Sequence, residues 1–400
     1  MTQLNQKRFI LGITGGIAAY KAAELTRLLI KDGANIKVVM TQAATHFITP
    51  ATFQALSNEP VWLDLWDNRI KNGMAHIDLS RDSDAIIVAP ASADFIAKIA
   101  HGQADDLLTT LCLARDCPLI LAPAMNRQMW EHPATQRNVT QAQMDGVFIL
   151  GPEEGEQACG ETGLGRMLEP QAIYEDLLSV LTPKLFPKTR ILITAGPTYE
   201  PIDAVRGITN SSSGKMGYEL ARACVASGAT VTLVSGPTNF EPPRHTRMVH
   251  VTSALQMYDQ VIKEAASSDI FISVAAVADY RPAHPRSNKI QKHTDNITLE
   301  LTPNPDILAT VATGPNAPWC VGFAAESGSL LTNAQAKRKR KKLPLIIANS
   351  VDAINSAYNE PTLIDDNGEH PLPKMDKSSL ALQLVEEISR RYHQDIKRKI

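Results

Sequence analysis

Long apolar runs, paired cysteines and an excess of charge of one sign are all lacking from this 400-residue chain. No apolar stretch reaches the length of a membrane span, and residues 1–12 lack the apolar segment and cleavage site of a signal peptide. The five cysteines are scattered, without a C-x-x-C pair, which argues against a disulfide framework or a structural zinc site and predicts a cytoplasmic protein. A formal charge of −2 gives no general attraction to nucleic acid or membrane.

The length and composition predict two soluble globular domains. Hydrophobic residues make up 44% and charged residues 20% of the chain, which is typical of globular proteins. Four hundred residues exceed what one core usually accommodates. Pro183 and Pro187 lie close together in a segment without periodicity, so we expect the domains to span residues 1–188 and 189–400.

Short apolar runs alternate with amphipathic stretches throughout the chain. Amphipathic stretches such as 18–31 and 93–101 predict helices, and residues 378–391 predict a closing helix. The pattern favours an α/β protein with an open parallel sheet and helices on both faces in each domain. The predicted strands are residues 36–40, 85–89, 119–122, 191–194, 230–235, 270–275 and 345–348.

Residues 151–165 interrupt this alternation. They are rich in Gly and Glu, lack periodicity and contain Cys159. A loop of this length inside a compact domain is usually functional, so we expect a lid or clamp.

Two segments open the domains in a similar way. Residues 9–16 read F-I-L-G-I-T-G-G, and residues 191–197 read I-L-I-T-A-G-P. A strand that runs into a tight turn and a helix leaves backbone N–H groups facing a phosphate, so both domains are predicted to be Rossmann-like. The first segment does not match G-x-G-x-x-G, and a turn without any ligand stays an alternative there.

Polar residues in the first domain suggest a ligand. Thr14, Thr41 and Ser92 follow three predicted strands, where hydroxyls suit a monophosphate and a flat ring. Asn126 lies in P-A-M-N-R-Q-M-W, although asparagine is also a common turn former. Cys159 lies in a glycine-rich segment, whereas unreactive cysteines favour apolar cores. His76, taken alone, is more typical of a structural histidine.

These motifs, in this order, resemble the flavin-dependent cysteine decarboxylases, in particular phosphopantothenoylcysteine decarboxylase. P-x-M-N-x-x-M is a highly specific signature of that family. The resemblance implies a flavodoxin-like flavoprotein fold for the first domain. It implies FMN contacts from Gly15, Thr41, Ser92 and Thr109.

The resemblance also implies roles for three catalytic residues. Oxidation of the substrate thiol by FMN precedes loss of CO₂, because a saturated cysteine carboxylate cannot delocalise the resulting carbanion. Asn126 would bind the substrate carboxylate, and His76 would assist substrate binding and thiol activation or decarboxylation. Cys159, with an ordinary pKa of about 8.5, would donate a proton to the ene-thiolate intermediate.

The second half carries a different set of motifs. Residues 208–217 read I-T-N-S-S-S-G-K-M-G, which fails the P-loop pattern because one glycine is missing and Met216 replaces Ser or Thr. A serine-rich turn into a helix therefore stays an alternative. Lys337 and Lys341 lie four residues apart in a basic run, 337–342, which also has a solvated-face and a nucleic-acid interpretation.

Together, the second-half motifs resemble phosphopantothenate–cysteine ligase. With the first half, the chain resembles the bacterial bifunctional enzymes of coenzyme A biosynthesis. One departure is K-I-Q-K at 289–292, where that family usually has K-I-K-K, so Gln291 removes one charge. The motifs are A-G-P-T at 195–198, T-N-S-S-S-G-K-M-G at 209–217, A-A-V-A-D-Y at 275–280, Lys289, N-P-D-I at 304–307 and G-F-A-A-E at 322–326.

The ligase resemblance implies a two-step reaction. CTP and Mg²⁺ activate the carboxylate of 4′-phosphopantothenate as an acyl-cytidylate, and the amine of L-cysteine then attacks it. Lys289 would stabilise charge in the first step, Asn210 would bind the acyl-cytidylate, and Asp279 would contact Mg²⁺ through the nucleotide. The implied CTP contacts are Ser273, Val274, Ala275, Asp279, Lys289, Asn304, Pro305, Asp306, Ile307, Phe323, Lys337 and Lys341.

Three other classes of protein are alternatives to this interpretation. A two-domain NAD-dependent oxidoreductase would explain the paired openings but not the missing G-x-G-x-x-G. A regulatory flavin-binding subunit could dispense with His76, Asn126 and Cys159, all of which are present. A nucleic-acid binder rests on the basic run alone. The resemblance implies small-molecule substrates, no nucleic-acid or membrane partner, and a homo-oligomer (trimers of dimers or a dodecamer).

Overall fold

The computed structural model describes residues 4–67, 69, 74–158, 160–291, 296–326, 328–351 and 356–399. The candidate catalytic residue Cys159 lies outside these residues. Contacts divide the chain into two units between Leu181 and Thr182. Across the described ranges, no helix is both long and apolar enough to cross a bilayer.

The first unit contains one parallel sheet and a small hairpin. In the described part of this unit, five strands pair in parallel in the order β2-β1-β3-β4-β5, which is the flavodoxin-like order that the resemblance implies. The strands are β1 (Arg8–Ile13), β2 (Asn35–Met40), β3 (Ala85–Ala91), β4 (Leu119–Pro123), β5 (Phe148–Ile149), β6 (Glu153–Glu156) and β7 (Thr162–Arg166).

Helices cover both faces of this sheet because its strands are apolar on both sides. In β1, Phe9 and Leu11 pack into the core that contains α1 and α8, while Ile10 packs into the core that contains α4 and α5. A short 3₁₀ helix spans Gln42–His46. The α-helices are α1 (Ala19–Lys31), α2 (Pro50–Ser57), α3 (Ala75–Ser80), α4 (Ala93–Ala100), α5 (Leu107–Leu113), α6 (Arg127–Glu131), α7 (Pro133–Met144) and α8 (Pro170–Leu181).

The segment predicted as an irregular loop, 151–165, is a β-hairpin, so that expectation was wrong in form. β6 and β7 pair antiparallel. The buried positions of β7 are Gly163 and Gly165, with φ of 151° and 138°. Side chains there would collide with the Arg127 side chain and the Met125 carbonyl. Because glycines occupy the inward positions, the alternation that usually reveals a strand is missing from the sequence.

The second unit contains a larger, mostly parallel sheet. Among the described strands its order is β12-β11-β8-β13-β16-β17-β19-β20, with β19 and β20 antiparallel at one edge. The strands are β8 (Arg190–Ala195), β9 (Tyr199–Pro201), β10 (Gly207–Thr209), β11 (Thr230–Ser235), β12 (Thr246–His250), β13 (Ile270–Ser273), β14 (Tyr280–Pro282), β15 (Leu301–Pro303), β16 (Trp319–Glu326), β17 (Leu345–Ser350), β18 (Tyr358–Asn359), β19 (Thr362–Asp365), β20 (Gly368–Pro371) and β21 (Met375–Asp376).

Helices again lie on both faces of this sheet, and the closing helix is longer than predicted. The expected helix 378–391 lies within α13, which begins at Lys377 and buries Leu380, Leu384 and Ile388 against the sheet. The helices are α9 (Lys215–Ala226), α10 (Ala254–Ala265), α11 (Ile307–Ala312), α12 (Leu330–Lys341) and α13 (Lys377–Lys399).

The boundary between the units differs from the expected one at residue 188. Phe186 is fully buried in the core of the second unit, and its backbone N–H donates to the carbonyl of Ser227 at 2.9 Å. The proline-containing segment therefore starts the second unit, because its aromatic side chain is part of that core.

We predict that a fragment of residues 182–400 unfolds cooperatively, whereas one of residues 189–400 is less stable by about 3–5 kcal/mol, the usual cost of removing a buried phenylalanine side chain. Urea denaturation followed by circular dichroism measures both. Phe186→Ala in the longer fragment should reproduce most of the loss. Phe240→Ala is the matched control, because Phe240 is 37% exposed. Equal stability of the two fragments would contradict the assignment of Phe186.

Candidate functional site

In the first unit, a buried threonine joins the carboxyl ends of two strands. Thr14, which follows β1, donates from Oγ1 to the Pro90 carbonyl at 2.7 Å and accepts from the Ser92 N–H at 3.0 Å. Ser92 in turn accepts from the N–H of Phe95 at 3.2 Å and caps α4. The structure therefore brings together two of the hydroxyl residues singled out in the sequence.

Thr41 and Gly15 shape the same edge. Thr41 follows β2, caps the 3₁₀ helix and lies with its Oγ1 3.5 Å from the Ile13 carbonyl oxygen. A Cβ on Gly15 would lie 2.7 Å from the Cβ of Ala43, so this approach requires glycine. α1 begins at this edge without a side-chain cap. A helix N-terminus beside small hydroxylated residues fits the phosphate of a flavin mononucleotide.

Thr109 is placed differently from the other expected FMN contacts. It is fully buried in the first turn of α5. Its hydroxyl donates to Asp106 Oδ1 at 2.7 Å, and the backbone N–H of Asp106 donates back to Thr109 Oγ1 at 3.1 Å. This capping box uses the hydroxyl, so Thr109 orients the start of α5.

Asn126 and the β6–β7 hairpin come together in the structure. Asn126 caps α6, since its Oδ1 accepts from the N–H of Met129 at 3.0 Å. The hairpin docks beside it. The N–H of Arg127 donates to Gln157 Oε1, and the N–H of Met125 donates to the Gly165 carbonyl, each at 3.0 Å.

Backbone hydrogen bonds among Gln157, Gly160 and Glu161 close the end of the hairpin. The N–H of Gly160 donates to the Gln157 carbonyl at 2.9 Å, and the N–H of Gln157 donates to the Glu161 carbonyl at 2.8 Å. By contrast, Cys112 and Cys224 lie in apolar cores, where burial raises the pKa of each thiol and keeps it unreactive.

His76 lies on α3. Its Nδ1 is buried and has no hydrogen-bond partner among the residues that the structure describes. Among the described residues, no hydrogen bond joins His76 to Asn126. A buried nitrogen of this kind is uncommon in proteins and is consistent with a group that pairs with a bound molecule.

In the second unit, a cleft of about 290 Å³ lies at the carboxyl ends of β8 and β13. The strand order reverses between these two strands, which is where open α/β sheets bind their ligands. The expected CTP contacts that line this cleft are Val274, Ala275, Asp279, Phe323 and Lys337.

Two lysines that line the cleft were not identified from the sequence. Lys215 precedes Met216 in the T-N-S-S-S-G-K-M-G motif at 209–217, and Lys377 begins α13. Lys377 is 4% exposed, and burial, followed by the charge of Lys215, lowers the pKa of its ammonium. With Lys337, the described residues that line the cleft include three lysines and one carboxylate, that of Asp279. This excess of positive charge suits a triphosphate.

A second buried threonine organises the expected nucleotide contacts at residues 273–275. The N–H groups of Val274 and Ala275 both donate to Thr194 Oγ1, at 3.2 and 3.3 Å. Because these two N–H groups are already bonded, Val274 and Ala275 would contact a ligand through their carbonyl oxygens and side chains.

Asn210 lies in an adjoining cleft of about 510 Å³. Both clefts are lined by Ser212 and Ser213. The Asn210 amide nitrogen donates to the Ala276 carbonyl at 2.9 Å. Asn210 is thus held next to the strand end that lines the 290 Å³ cleft.

The turn at residues 304–307 is tied to its surroundings rather than open to the cleft. The Asn304 N–H donates to the Asp279 carbonyl, and its amide nitrogen donates to the Ala278 carbonyl, each at 2.8 Å. Asp306 caps α11 and accepts from Lys341 Nζ at 2.7 Å. Burial alone would raise the pKa of Asp306, but the bonds from Lys341 and the Ala309 N–H outweigh it and lower the pKa.

Lys341 therefore has a carboxylate partner and does not line the cleft as Lys337 does. Its neighbour in the basic run, Arg338, forms an ion pair with Asp366. These pairs give two of the basic residues structural roles within the unit.

Lys289 is exposed in the connection between β14 and β15. The adjacent Ile290 donates its N–H to Asp203 Oδ2 at 3.0 Å. The Asp203 side chain is 0% exposed and also accepts from the N–H groups of Val205 and Arg206. These backbone bonds, that of Ile290 first, hold the pKa of Asp203 below its usual range. Through its bond to Ile290, Asp203 thus holds in place the segment that contains Lys289.

Among the described residues that line the 290 Å³ cleft, Asp279 provides one carboxylate that could hold a magnesium ion. Among the described residues, no group of three His, Cys, Asp or Glu side chains is arranged to hold a metal. Magnesium is commonly bound by one or two carboxylates together with substrate phosphates, and a single aspartate fits that arrangement.

Comparison with known proteins agrees with the two-unit organisation. Residues 1–182 match the Flavoprotein family, and residues 186–392 match the DNA/pantothenate metabolism flavoprotein C-terminal domain. The chain is 48% identical over 395 residues to the coenzyme A biosynthesis bifunctional protein CoaBC of Vibrio vulnificus, covering 97% of this chain and 98% of that protein. It is 44% identical over 401 residues to CoaBC of Escherichia coli, covering 98% and 99%.

The chain belongs to the bifunctional coenzyme A biosynthesis proteins. Solved structures with similarity include the C-terminal domain of a CoaBC protein (37% identity, TM-score 0.47, 53% of this chain and 99% of that one). Another is a cysteine-to-serine mutant of PPC decarboxylase in complex with pantothenoylaminoethenethiol (33% identity, TM-score 0.40, 43% and 97%).

Membership of the bifunctional coenzyme A biosynthesis proteins confirms the expected family and enzyme class. The chain combines a flavoprotein half of the decarboxylase kind with a ligase half, and both act on small molecules.

We predict that Asp203 stabilises the fold in a pH-dependent way. Its folded-state pKa lies below the unfolded value of about 3.9. Its contribution is therefore fully present above that pH and is lost as the pH falls through the folded-state pKa. The wild-type chain should melt at a higher temperature than Asp203→Asn at pH 7, and the difference should shrink at pH 3. Asp259→Asn, at an exposed position, is the control; a constant difference across this range would contradict the prediction.

Proposed function

We propose that the second half joins L-cysteine to 4′-phosphopantothenate with CTP, and that the first half decarboxylates the product, 4′-phospho-N-pantothenoylcysteine, to 4′-phosphopantetheine with FMN. Support comes from the full-length similarity and from the two separate sites. The observation that carries the proposal is the docking of the β6–β7 hairpin beside Asn126, because Cys159 lies in sequence between β6 and β7 and one decarboxylation needs both residue types.

In the first half, FMN would lie at the edge formed by Gly15, Thr41 and Ser92, with Thr109 supporting the site from α5. The small residues and the uncapped start of α1 fit its phosphate. When bound, FMN supplies the two-electron oxidation that makes loss of CO₂ possible and the reduction that follows it.

The protein's own residues hold the substrate and move a proton. Asn126 binds the substrate carboxylate through its amide, whose orientation the cap bond to Met129 sets. His76, with a buried and unpaired Nδ1, assists substrate binding and thiol activation or decarboxylation. Cys159 donates its thiol proton to the ene-thiolate carbon that has lost CO₂.

We expect Cys159→Ser to release CO₂ and to accumulate an oxidised ene-thiol, because the proton donor is lost while the carboxylate site is intact. Mass spectrometry of the product together with CO₂ measurement tests this in the full-length, FMN-loaded protein. Cys112→Ser, in a buried apolar core, is the control. A normal yield of the reduced product from Cys159→Ser would remove this cysteine from the scheme.

In the second half, CTP would occupy the 290 Å³ cleft. The ammonium groups of Lys215, Lys337 and Lys377 would face its phosphates, with Mg²⁺ between the phosphates and Asp279. Contacts from Ser273, Val274, Ala275, Asn304, Pro305, Asp306, Ile307, Phe323 and Lys341 remain part of the proposal. Lys341 would act by holding Asp306 and its turn in place.

The two chemical steps follow from charge. A carboxylate oxygen of 4′-phosphopantothenate attacks the α-phosphorus of CTP, the bond to pyrophosphate breaks, and Lys289 stabilises the added negative charge. The cysteine amine then attacks the acyl carbon, CMP leaves with the bonding electrons, and the amine loses a proton. Asn210, beside the cleft, holds the acyl-cytidylate during the second step.

We predict that Lys289→Gln prevents pyrophosphate release, whereas Asn210→Asp still forms the acyl-cytidylate and transfers it slowly to cysteine. A pyrophosphate assay supplied with 4′-phosphopantothenate, cysteine and CTP separates the two steps. Loss of one charge-stabilising donor typically costs about a hundredfold or more in rate. Lys263→Gln, remote in sequence and on α10, is the control. Equal pyrophosphate release from wild type and Lys289→Gln would contradict the role of Lys289.

The proposal includes a cytoplasmic homo-oligomer, with trimeric contacts between decarboxylase halves and dimeric contacts between ligase halves. Exposed apolar side chains support association of the ligase halves. Leu299 and Leu301 are 42% and 45% exposed, respectively, and such side chains are common at interfaces.

A further inference from the structure

The amide of Asn126 has a defined orientation before any substrate binds. Its Oδ1 accepts from the Met129 N–H at 3.0 Å as the cap of α6. Its Nδ2 must therefore face the other way, where it donates to Gln128 Oε1 at 2.7 Å. The group proposed to bind the substrate carboxylate is thus held from both ends by α6 itself.

Gln128 connects the Asn126 amide to the hairpin through two hydrogen bonds. Its Oε1 accepts from Asn126, and its Nε2 donates to Glu161 Oε1 at 2.9 Å. Because an amide has one acceptor end and one donor end, these two bonds set the orientation of Gln128. Gln128 occupies a variable position of the P-x-M-N-x-x-M signature, so the motif alone gives it no role.

Glu161 lies at the other end of the chain of bonds, two residues after Cys159. Its backbone carbonyl accepts from the Gln157 N–H and closes the hairpin turn. Its Oε2 is buried and has no partner among the described residues, so the carboxylate keeps an acceptor after it has bound Gln128. The Glu161 side chain therefore connects the end of the hairpin to α6.

We infer that Gln128 and Glu161 are positioning residues of the decarboxylase, which couple the orientation of the Asn126 amide to the placement of the hairpin residues that flank position 159 in sequence. The chain Asn126–Gln128–Glu161 joins the group that holds the carboxylate to the segment that delivers the proton. This inference rests on the proposed function of the first half.

The position of these residues argues against a mainly structural role. Gln128 is exposed and Glu161 half-buried, and hydrogen bonds of this kind contribute little to overall stability. The hairpin has other contacts to α6 through Gln157 and Gly165. Loss of the Gln128–Glu161 bond should therefore shift the Cys159 turn without unfolding the unit.

The test uses full-length, FMN-loaded protein and measures how the product divides between the oxidised ene-thiol and the reduced thiol. Gln128→Leu and Glu161→Leu should raise the ene-thiol share and lower kcat for the reduced product about tenfold, since misplacing a reacting group by about 1 Å can cost a hundredfold. Glu161→Gln keeps an acceptor for Gln128 and should restore most of the wild-type ratio.

Hydrogen exchange provides a readout independent of activity. The amides of residues 160–166 should exchange faster in Gln128→Leu and Glu161→Leu than in wild type and Glu161→Gln. Gln143→Leu, an exposed glutamine on α7, is the matched control for a glutamine-to-leucine change. Flavin absorbance and melting temperature should stay near wild type in all variants.

An unchanged product ratio in both leucine variants would overturn the inference, as would equal effects of Glu161→Gln and Glu161→Leu. Cys159→Ser in the same assay separates this result from the proposed function. If Cys159→Ser accumulates ene-thiol and the leucine variants do not, only the coupling fails. If Cys159→Ser makes normal reduced product, the proposed proton donor fails and the coupling inference fails with it.

Discussion

A buried threonine hydroxyl at the end of the first strand organises each half of the chain. Thr14 bonds to the backbone at Pro90, near the end of β3, and at Ser92, directly after it, and Thr194 accepts from the backbone at Val274 and Ala275 after β13. In both sheets the two joined strands are neighbours. A buried backbone group that leaves the hydrogen-bond ladder of a sheet needs another partner. The threonine hydroxyl is that partner at the edge where the sheet opens.

The two halves share this edge but complete it with different elements, and the added elements determine the chemistry. In the first half, a glycine-containing hairpin docks on α6, whose first turn carries the neutral amides of Asn126 and Gln128. In the second half, helix starts and a basic helix bring lysines such as Lys215 and Lys377 to the cleft. A parallel sheet thus provides the location, and segments outside it provide the charge.

Much of the fold could be predicted from the sequence because its strands are short apolar runs bounded by turn residues, and 230–235 agrees with β11 to the residue. The hairpin could not be predicted in this way. Gly163 and Gly165 occupy the buried positions of β7, so the strand lacks the usual alternation of apolar and polar side chains. For the sites, strand ends predicted that Thr14 and Ser92 lie together at one sheet edge, as they do, and Asp279 lines the cleft of the second unit; their roles toward a ligand stay predictions. Lys377 gave no signal, since it reaches the cleft only through the packing of α13. The spacing of Lys341 suggested a cleft residue, but only three-dimensional structure could reveal its partner Asp306.

Charge explains why the two carboxylates of the proposed pathway meet different side chains. A ligase must neutralise charge that grows at phosphorus, so lysines at that site favour the transition state. A decarboxylase must hold a carboxylate that is about to lose its charge to a departing CO₂. A lysine there would stabilise the starting carboxylate more than the transition state and slow the reaction, since only differential binding accelerates a step. A neutral amide that is oriented by its neighbours would bind the same group with less of that penalty, which agrees with an asparagine, rather than a cation, where the β6–β7 hairpin docks.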